Sequence, residues 1–200
     1  MTANSLAEHF PANQGHLDRL HARLVREAES SALLDISYRT IDSGVGPLLL
    51  AATTRGLVRV AFANESYDRV LQSLSERISP RMLQAPTRLD PVARQLDEYF
   101  AGHRHGFDVP LDWSLSKGFR REVLGRLATD ITYGATTSYA ALAQLSGSPK
   151  AVRAVGNACA TNPIPIVVPC HRVIRSDGTV GAYRGGPVAK RALLDLEHEQ

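Results

Sequence analysis

The sequence predicts an α+β protein. A small N-terminal domain would hold a three-stranded antiparallel sheet and helices, and a mainly helical C-terminal domain would follow. Short apolar runs separated by turn residues between positions 34 and 63 indicate the strands. Apolar residues at helical spacing dominate from position 119 onward. A helix-turn-helix pattern then precedes Cys170, which directly follows a proline and is the candidate reactive residue of the C-terminal domain.

Composition limits the class of protein. A chain of 200 residues can form one large domain or two small ones. Its two cysteines, Cys159 and Cys170, are too few for a disulfide framework or a structural zinc site, so we expect a cytoplasmic protein without a metal. No apolar run approaches the roughly 18 residues of a membrane span, and the polar start Met1–Ser5 does not match a signal peptide.

Charge is distributed unevenly between the two halves. Residues 1–112 carry 12 Lys and Arg against 14 Asp and Glu, a net charge of −2. Residues 113–200 carry 11 against 6, a net charge of +5. This asymmetry favours a polyanion such as nucleic acid as the partner of the second half, although a solvated basic surface has the same composition.

The first half divides into an extension and a domain. Residues 1–33 predict a loose extension followed by a short amphipathic helix. Residues 34–112 predict the small domain, with a polar linker through Pro110 and Trp113 at its end. The strands are predicted at Ile36–Ile41, Leu48–Ala51 and Leu57–Phe62, and the helices at about 65–78 and 90–101.

The second domain, residues 113–200, begins with a helix whose apolar face runs from Phe119 to Leu127. Ser138 is a typical N-cap for a short helix, Tyr139–Leu145. Gly147 ends that helix, and Pro149 at a first helical position predicts the next helix, to about Ala160. Together these two helices make a helix-turn-helix, a pattern that also occurs in proteins that do not bind DNA.

The second of these helices combines charge with small residues. Lys150 and Arg153 are its cations, and Ala154 is one of several small residues that allow close approach of a backbone. The helix lacks the Asn, Gln and multiple Arg typical of base-edge readers, so it suits shape and phosphate contacts. Arg153 could fill the space left by an extruded base, and the alternative is a plain surface charge.

Cys170 follows a β-branched apolar run and precedes His171 and Arg172. A reactive thiol needs a base or positive charge nearby to lower its pKa from about 8.5, and these two neighbours could supply that field. Adjacent residues of a strand point to opposite faces, so Cys170 and His171 can cooperate only if the strand ends at Pro169, as we predict. The alternative is a buried structural cysteine.

Five motifs in order closely resemble the O6-alkylguanine-DNA alkyltransferases, also called methylated-DNA-protein-cysteine methyltransferases. The match runs from about Phe119 to Glu197, and residues 34–112 resemble the family only in the order of strands and helices. The motifs are Ser138-Tyr139, Arg153–Gly156, Asn162–Pro165, Pro169–Val173, and Gly181–Gly186 with Lys190.

The resemblance implies a DNA repair protein that reverses damage directly. It would bind double-stranded DNA containing O6-alkylguanine, flip the damaged base, and move the alkyl group to Cys170 in a single-use reaction without a cofactor. O4-alkylthymine is a second lesion that the resemblance leaves open. We expect a monomer, with cooperative loading on DNA also left open.

The resemblance also implies catalytic roles. Cys170 is the nucleophile, His171 is the base acting through a bridging water, and Glu197 orients the imidazole and favours its protonated form. Tyr139 would donate a hydrogen bond to a ring nitrogen of the leaving guanine. For Glu197 the alternative is a solvated charge, and for Tyr139 it is packing.

Other residues are implied in binding. Asn162 would be a structural hinge before the cysteine segment. Lys190 could equally be a helix-surface lysine, and the glycines of residues 181–186 could mark an ordinary turn before a helix that starts at Pro187. The implied DNA contacts are Ser138, Lys150, Arg153 and Ala154, and the implied lesion pocket is formed by Val173, Arg184, Gly185 and Lys190.

Three other functions compete with this hypothesis. A non-catalytic alkylguanine-binding relative would replace the acceptor cysteine, and Cys170 argues against it. A helix-turn-helix regulator would bind undamaged operator DNA selectively, and a cysteine hydrolase would turn over repeatedly on acyl substrates. Neither of the last two explains Tyr139, Arg153, Asn162 and Cys170 together.

Overall fold

The structure is a computed structural model that describes residues 14–198. Its mixed architecture confirms the predicted α+β class. The helices are α1 (Gln14–Ser30), α2 (Tyr67–Arg77), α3 (Asp90–Phe100), α4 (Gly118–Asp130), α5 (Tyr139–Leu145), α6 (Val152–Ala160) and α7 (Gly186–His198). The strands are β1 (Ile36–Ile41), β2 (Leu48–Thr53), β3 (Gly56–Phe62), β4 (Met82–Gln84), β5 (Thr137–Ser138) and β6 (Val173–Ile174).

The N-terminal sheet contains the three predicted strands and one more. β1 pairs antiparallel with β2, and β2 pairs antiparallel with β3. β4 joins the other edge of β1 in parallel, which makes a four-stranded sheet in the order β3-β2-β1-β4. The sequence pattern predicts only three strands because β4 is 3 residues long, too short to show an alternating pattern.

The central strand β2 separates two apolar layers. Leu48 and Leu50 pack with α3 and the C-terminal helices, whereas Leu49 and Ala51 pack with α2. Successive side chains of a strand point to opposite faces, so a strand that is covered on both faces must be apolar throughout. This explains the continuous run Leu48–Ala51 in the sequence.

The larger core joins both halves of the chain. It contains Leu50 and Leu96 from the first half and Leu124 and Leu193 from the second half. The segment predicted as a polar linker is fixed to the sheet, because the Leu57 N–H donates to the Pro110 carbonyl at 2.8 Å. In return, the Asp112 N–H donates to the Leu57 carbonyl at 2.8 Å.

The helix-turn-helix consists of α5 and α6. As predicted, Ser138 caps α5: its hydroxyl oxygen accepts from the Ala141 N–H at 3.1 Å. The prediction that Pro149 begins the second helix is wrong, because α6 begins at Val152. The Ala151 N–H donates to the Ser148 carbonyl, which closes a turn over Pro149 and places Lys150 before the helix.

Helix α1 confirms a helix in the N-terminal extension, but it lies on the outside of the molecule. None of its residues is buried, and the leucines of its apolar stripe, Leu17, Leu20 and Leu24, are 45–51% exposed. The His21 imidazole contacts the Gln84 carbonyl at 2.6 Å. Residues 1–13 of the predicted extension lie outside the described residues. Among residues 14–198, no helix has both the length and the apolar character needed to cross a membrane.

The core predicts a stability difference between two leucines. Leu124→Ala on α4 removes a fully buried side chain and should lower the free energy of unfolding by about 2–5 kcal/mol. Leu145→Ala on α5 is the matched control, because that side chain is 45% exposed. Urea unfolding followed by circular dichroism checks both variants. Equal losses of stability in the two variants would contradict the described core.

Candidate active site

The segment that carries Cys170 differs from the predicted strand. Residues 164–168 form a turn, in which the Val168 N–H donates to the Ile164 carbonyl at 2.9 Å and Ile166 has a φ of +73°. Cys170–Arg172 is a single 3-10 turn, and only β6 after it is extended. The strand prediction is therefore wrong here, because prolines at 165 and 169 cannot donate to a strand ladder. In a 3-10 turn, consecutive side chains are not forced to opposite faces.

Asn162 fixes this turn and contacts the sulfur. Its side-chain carbonyl accepts from the Ile164 N–H at 3.0 Å, and its amide donates to the Val168 carbonyl at 2.9 Å. The same amide lies 3.1 Å from Cys170 Sγ. The predicted hinge residue thus holds both ends of the turn and also donates a hydrogen bond to the thiol sulfur.

Burial dominates the chemistry of the thiol. Cys170 is 3% exposed, and burial raises its pKa to about 11. The Asn162 hydrogen bond and the positive charges of Lys190 and Arg184 act in the opposite direction. The guanidinium of Arg172, one of the two neighbours expected to supply positive charge, donates to Glu197. In the resting protein the thiol therefore keeps its proton at neutral pH.

A buried carboxylate, Glu197, organises the other side of the site. Burial opposes its ionisation, but hydrogen bonds from His171 and Arg172 lower its pKa to about 2. The alternative of a solvated C-terminal charge is thus excluded, since Glu197 is 4% exposed. Its donors are His171 Nε2 at 2.9 Å, Arg172 Nε at 2.8 Å, Arg172 Nη2 at 2.9 Å, the Tyr99 hydroxyl at 2.7 Å and the Gly134 N–H at 3.3 Å.

The Glu197 contact sets the proton position on His171. An ionised carboxylate only accepts, so Nε2 carries the proton, and in the neutral ring Nδ1 is left as the acceptor. Nδ1 is buried and has no hydrogen-bond partner among the described residues. As expected, Glu197 favours the protonated imidazole, but burial outweighs this effect and the pKa of His171 is lowered.

Sequence reasoning missed Tyr99, which reaches the site from the N-terminal half. Its side chain is fully buried on α3, and burial together with the Glu197 charge raises its pKa well above the ordinary value. The hydroxyl therefore stays protonated and donates to Glu197. A tyrosine on an apolar helix face gives no sign of its polar partner, so nothing in the sequence indicates this contact.

Lys190 forms a hydrogen bond with Val173, which lies three residues after Cys170. Lys190 is fully buried, so the alternative of a helix-surface lysine is wrong. Its ammonium donates to the Val173 carbonyl at 2.6 Å, and burial lowers its pKa. This contact joins two residues that the resemblance assigns to the lesion pocket.

The loop of residues 181–186 closes over the site and also contacts the first half of the chain. A Cβ on Gly181 would lie 2.6 Å from the Tyr139 hydroxyl, and a Cβ on Gly185 would lie 2.7 Å from the Phe62 ring, so both positions need glycine. The Asn64 side chain donates to the Arg184 carbonyl at 3.1 Å. Helix α7 begins at Gly186, one residue before the predicted start at Pro187.

Tyr139 lies close to Cys170 and Cys159. It is half-buried, and burial raises its pKa, with the neighbouring Cys159 and Cys170 adding to the shift. The phenol therefore keeps its proton. Strand β5, which ends at Ser138, pairs with β6 in the register Ser138 to Ile174, and this pairing holds Tyr139 beside the segment that follows Cys170.

The structure separates the predicted site residues into two groups. Arg153 and Ala154 are exposed on α6 and Lys150 is exposed in the preceding turn, as a surface for a macromolecule requires. The Ser138 hydroxyl is used as the helix cap of α5. The other predicted residues form the buried cluster and its loop: Cys170, His171, Glu197, Tyr139, Val173, Arg184, Gly185, Lys190 and Asn162.

Comparisons with known proteins identify similar families. Residues 36–113 match the family model described as 6-O-methylguanine DNA methyltransferase, ribonuclease-like domain. Residues 118–199 match the model described as 6-O-methylguanine DNA methyltransferase, DNA binding domain.

Relatives and solved structures agree with these models. The chain is 43% identical over 162 residues to a methylated-DNA–protein-cysteine methyltransferase of Mycobacterium tuberculosis, covering 81% of this chain and 92% of the relative. It is 35% identical over 173 residues to the Mus musculus protein of that name, covering 82% and 81%. The crystal structure of Mycobacterium tuberculosis OGT in complex with DNA has a TM-score of 0.70 and 41% identity, covering 82% of this chain and 93% of that chain.

The low pKa of Glu197 predicts an acid-sensitive stability. A carboxyl whose pKa falls from 4.5 to about 2 on folding stabilises the protein above pH 4.5 and loses that contribution as the pH drops towards 2. Glu197→Gln should be less stable at neutral pH and should lose less stability across this acid range. Urea unfolding at a series of pH values checks the slope.

Glu122→Gln is the control for this experiment, because Glu122 is an exposed carboxylate on α4. Its acid profile should follow that of the unmodified protein. A Glu197→Gln profile with the same slope as the control would contradict the described burial of this ion pair.

Proposed function

Because this chain belongs to the 6-O-methylguanine DNA methyltransferase family, we propose that it repairs DNA by moving the alkyl group of O6-alkylguanine onto Cys170. The observation that carries this proposal is the Cys170 thiol, held by Asn162 and adjacent to a neutral His171 that Glu197 orients. The activity is that of a methylated-DNA–protein-cysteine methyltransferase, and DNA is its macromolecular partner.

The reaction is one displacement at the alkyl carbon. The bond from Cys170 Sγ to the alkyl carbon forms while the bond from that carbon to O6 of guanine breaks. The electron pair of the broken bond moves into the guanine ring, and the thiol proton replaces the alkyl group on the base. No cofactor is needed, because the lesion carries the alkyl group, and the resulting thioether leaves the protein spent.

His171 is proposed as the base that removes the thiol proton. Because burial raises the pKa of the Cys170 thiol to about 11, the thiol is protonated at neutral pH in the resting protein. A nucleophile of this kind depends on an adjacent base during the reaction. His171 Nδ1 is the unpartnered acceptor of the ring, and it takes the proton directly or through a water.

Glu197 and its other partners hold His171 in this tautomer. The carboxylate accepts from Nε2 and stabilises the imidazolium that forms when Nδ1 takes a proton. Arg172 and Tyr99 bind the same carboxylate and prevent it from rotating away. These two residues act as positioning residues, because they reach the reaction only through Glu197.

Tyr139 and the loop of residues 181–186 are proposed to receive the flipped base. The Tyr139 hydroxyl donates to a ring nitrogen of the leaving guanine and so stabilises the negative charge that develops there. Backbone N–H groups near Arg184 and Gly185 face O6. Because Cys170 is 3% exposed, entry of the base requires this loop to shift away from Tyr139.

Helix α6 is proposed as the element that binds DNA. Arg153 and Ala154 on α6 and Lys150 before it would contact the duplex, with Ser138 at the start of the neighbouring helix. Arg153 fills the space of the extruded base. The net charge of +5 on residues 113–200 supports phosphate contacts by this half.

The domain division and the assembly state are part of the same proposal. Residues 34–112 form the supporting domain, residues 113–200 bind DNA and accept the alkyl group, and residues 1–33 are an extension. The protein acts as a cytoplasmic monomer on double-stranded DNA. A non-catalytic relative, a DNA-binding regulator and a cysteine hydrolase all lack a permanent alkyl adduct, so one experiment separates them from this proposal.

Intact-mass analysis tests the acceptor. One incubation with duplex containing O6-methylguanine should add the mass of one methyl group per protein, and peptide mapping should locate it on Cys170. Cys170→Ala should gain no mass, whereas the matched control Cys159→Ala should be methylated, because Cys159 is a buried thiol with a pKa raised to about 12. Transfer to Cys159 in the Cys170→Ala variant, or repeated turnover, would refute the proposal.

Arg153→Ala tests base flipping separately from total binding. Flipping costs a few kcal/mol, so loss of the side chain that fills the gap should reduce the flipped population more than it reduces overall affinity. Fluorescence of a 2-aminopurine base next to the lesion reports flipping, and anisotropy reports affinity. Arg94→Ala is the control, since Arg94 is an exposed arginine of α3. Equal flipping in Arg153→Ala and the control would contradict the assigned role.

A further inference from the structure

Five arginines line one cavity on the side of the molecule where α2 meets the C-terminal half. The cavity has a volume of about 350 Å³ and reaches from α2 to Thr161 and Pro163, which follow α6. This volume falls within the range of roughly 300–1,000 Å³ that is typical of small-molecule sites. The arginines are Arg59, Arg69, Arg77, Arg120 and Arg184.

Only one carboxylate, that of Glu65, lies among the described residues that line this cavity. It is shared between Arg59 at 2.5 Å and Arg184 at 3.2 Å. Five positive charges against one negative charge leave a surplus of four in one small volume. This local positive surplus exceeds the net charge of the whole protein, which is only +3.

Three of the arginines have donors to offer. Within residues 14–198, no carboxylate lies within 4.0 Å of the guanidinium of Arg69, Arg77 or Arg120. Arg69 and Arg77 are two turns apart on α2, about 12 Å along the helix axis. Arg120 donates from Nη2 to the Leu115 carbonyl, but its Nε is buried without a hydrogen-bond partner among the described residues. A buried N–H donor of this kind is costly unless a ligand or water accepts from it.

Arg59 on β3 is the one buried arginine of the five. It is 6% exposed, and its guanidinium is held in place by the carbonyls of Val60 at 2.7 Å and Pro163 at 3.1 Å. Burial lowers its pKa, and repulsion from Arg184 and Arg77 adds to this effect. Bound negative charge would relieve this repulsion.

We propose that this cavity binds two or more linked phosphate groups. The planar fork of arginine matches phosphate oxygens with two parallel hydrogen bonds, and arginine is the preferred cation where such contacts are made. A single carboxylate would leave most of the surplus charge uncompensated. The phosphates come either from a free oligophosphate or from the backbone of a nucleic acid strand, and both present the same chemistry.

The site is distinct from the alkyl-transfer site, and the inference does not depend on the proposed function. Cys170, His171 and Glu197 do not line the cavity. The two sites share one segment, because Arg184 lines the cavity through Glu65 and also donates to the carbonyl of Asn162, the residue that contacts the thiol. Because none of the three catalytic residues lines the cavity, binding of phosphate in the cavity can be measured separately from alkyl transfer to Cys170.

Titration calorimetry of the full chain at low salt tests the proposal, with sodium tripolyphosphate as one probe and a lesion-free single strand of eight thymidines as the other. The Arg69→Ala/Arg77→Ala variant should bind tripolyphosphate at least tenfold more weakly than the unmodified protein. The Arg23→Ala/Arg94→Ala variant removes the same charge from exposed positions elsewhere and should change affinity less than twofold.

The two probes distinguish the sources. Loss of affinity for tripolyphosphate alone assigns the cavity to a free oligophosphate, and loss for both probes assigns it to a nucleic acid backbone. The proposal is overturned if the unmodified protein does not bind tripolyphosphate, or if the two double variants bind it equally. Methylation of Cys170 in the Arg69→Ala/Arg77→Ala variant, at saturating damaged DNA, should stay within twofold of the unmodified protein, which separates this test from that of the alkyl transfer.

Discussion

The buried carboxylate of Glu197 is the interaction on which the site depends. It binds Tyr99 from α3, the Gly134 N–H from the turn before β5, and His171 and Arg172 from the 3-10 turn. It therefore joins both halves of the chain and the C-terminal helix at one point. Removing one partner of a buried ion pair costs about 3–5 kcal/mol, because the other charge is left uncompensated. The position of the imidazole thus rests on the same contact that holds the fold together at this point.

Because the Cys170 thiol is buried and protonated, the proposed alkyl transfer needs a general base to remove its proton. A cysteine ionised by neighbouring charges would be reactive towards many electrophiles, whereas the buried Cys170 keeps its proton in the resting protein. In the proposed reaction, His171 accepts that proton. The Asn162 amide and the Lys190 charge reduce the cost of forming the thiolate without ionising the resting thiol. The loop at Gly181 lies against the Tyr139 hydroxyl beside the site.

Local signals predicted much of the fold, and long-range contacts were not predictable. The strands Ile36–Ile41 and Gly56–Phe62 and the cap at Ser138 follow from patterns within a few residues, and the structure has them at or near the expected positions. The prediction of a strand before Cys170 was wrong. An apolar run does not show whether its backbone groups pair with another strand or, as here, with the side chain of Asn162 in a turn. Tyr99 was missed for a related reason, since its partner is 98 positions away in the chain.

The protonation state of His171 is the most direct test of this account. Nitrogen-15 chemical shifts of the imidazole, measured by NMR from mildly acidic to mildly alkaline pH, distinguish its two neutral tautomers and the imidazolium. We predict a neutral ring at neutral pH, with the proton on Nε2 and a pKa below the ordinary histidine value. An imidazolium at neutral pH, or a neutral ring with its proton on Nδ1, would contradict the assignment of His171 as the base.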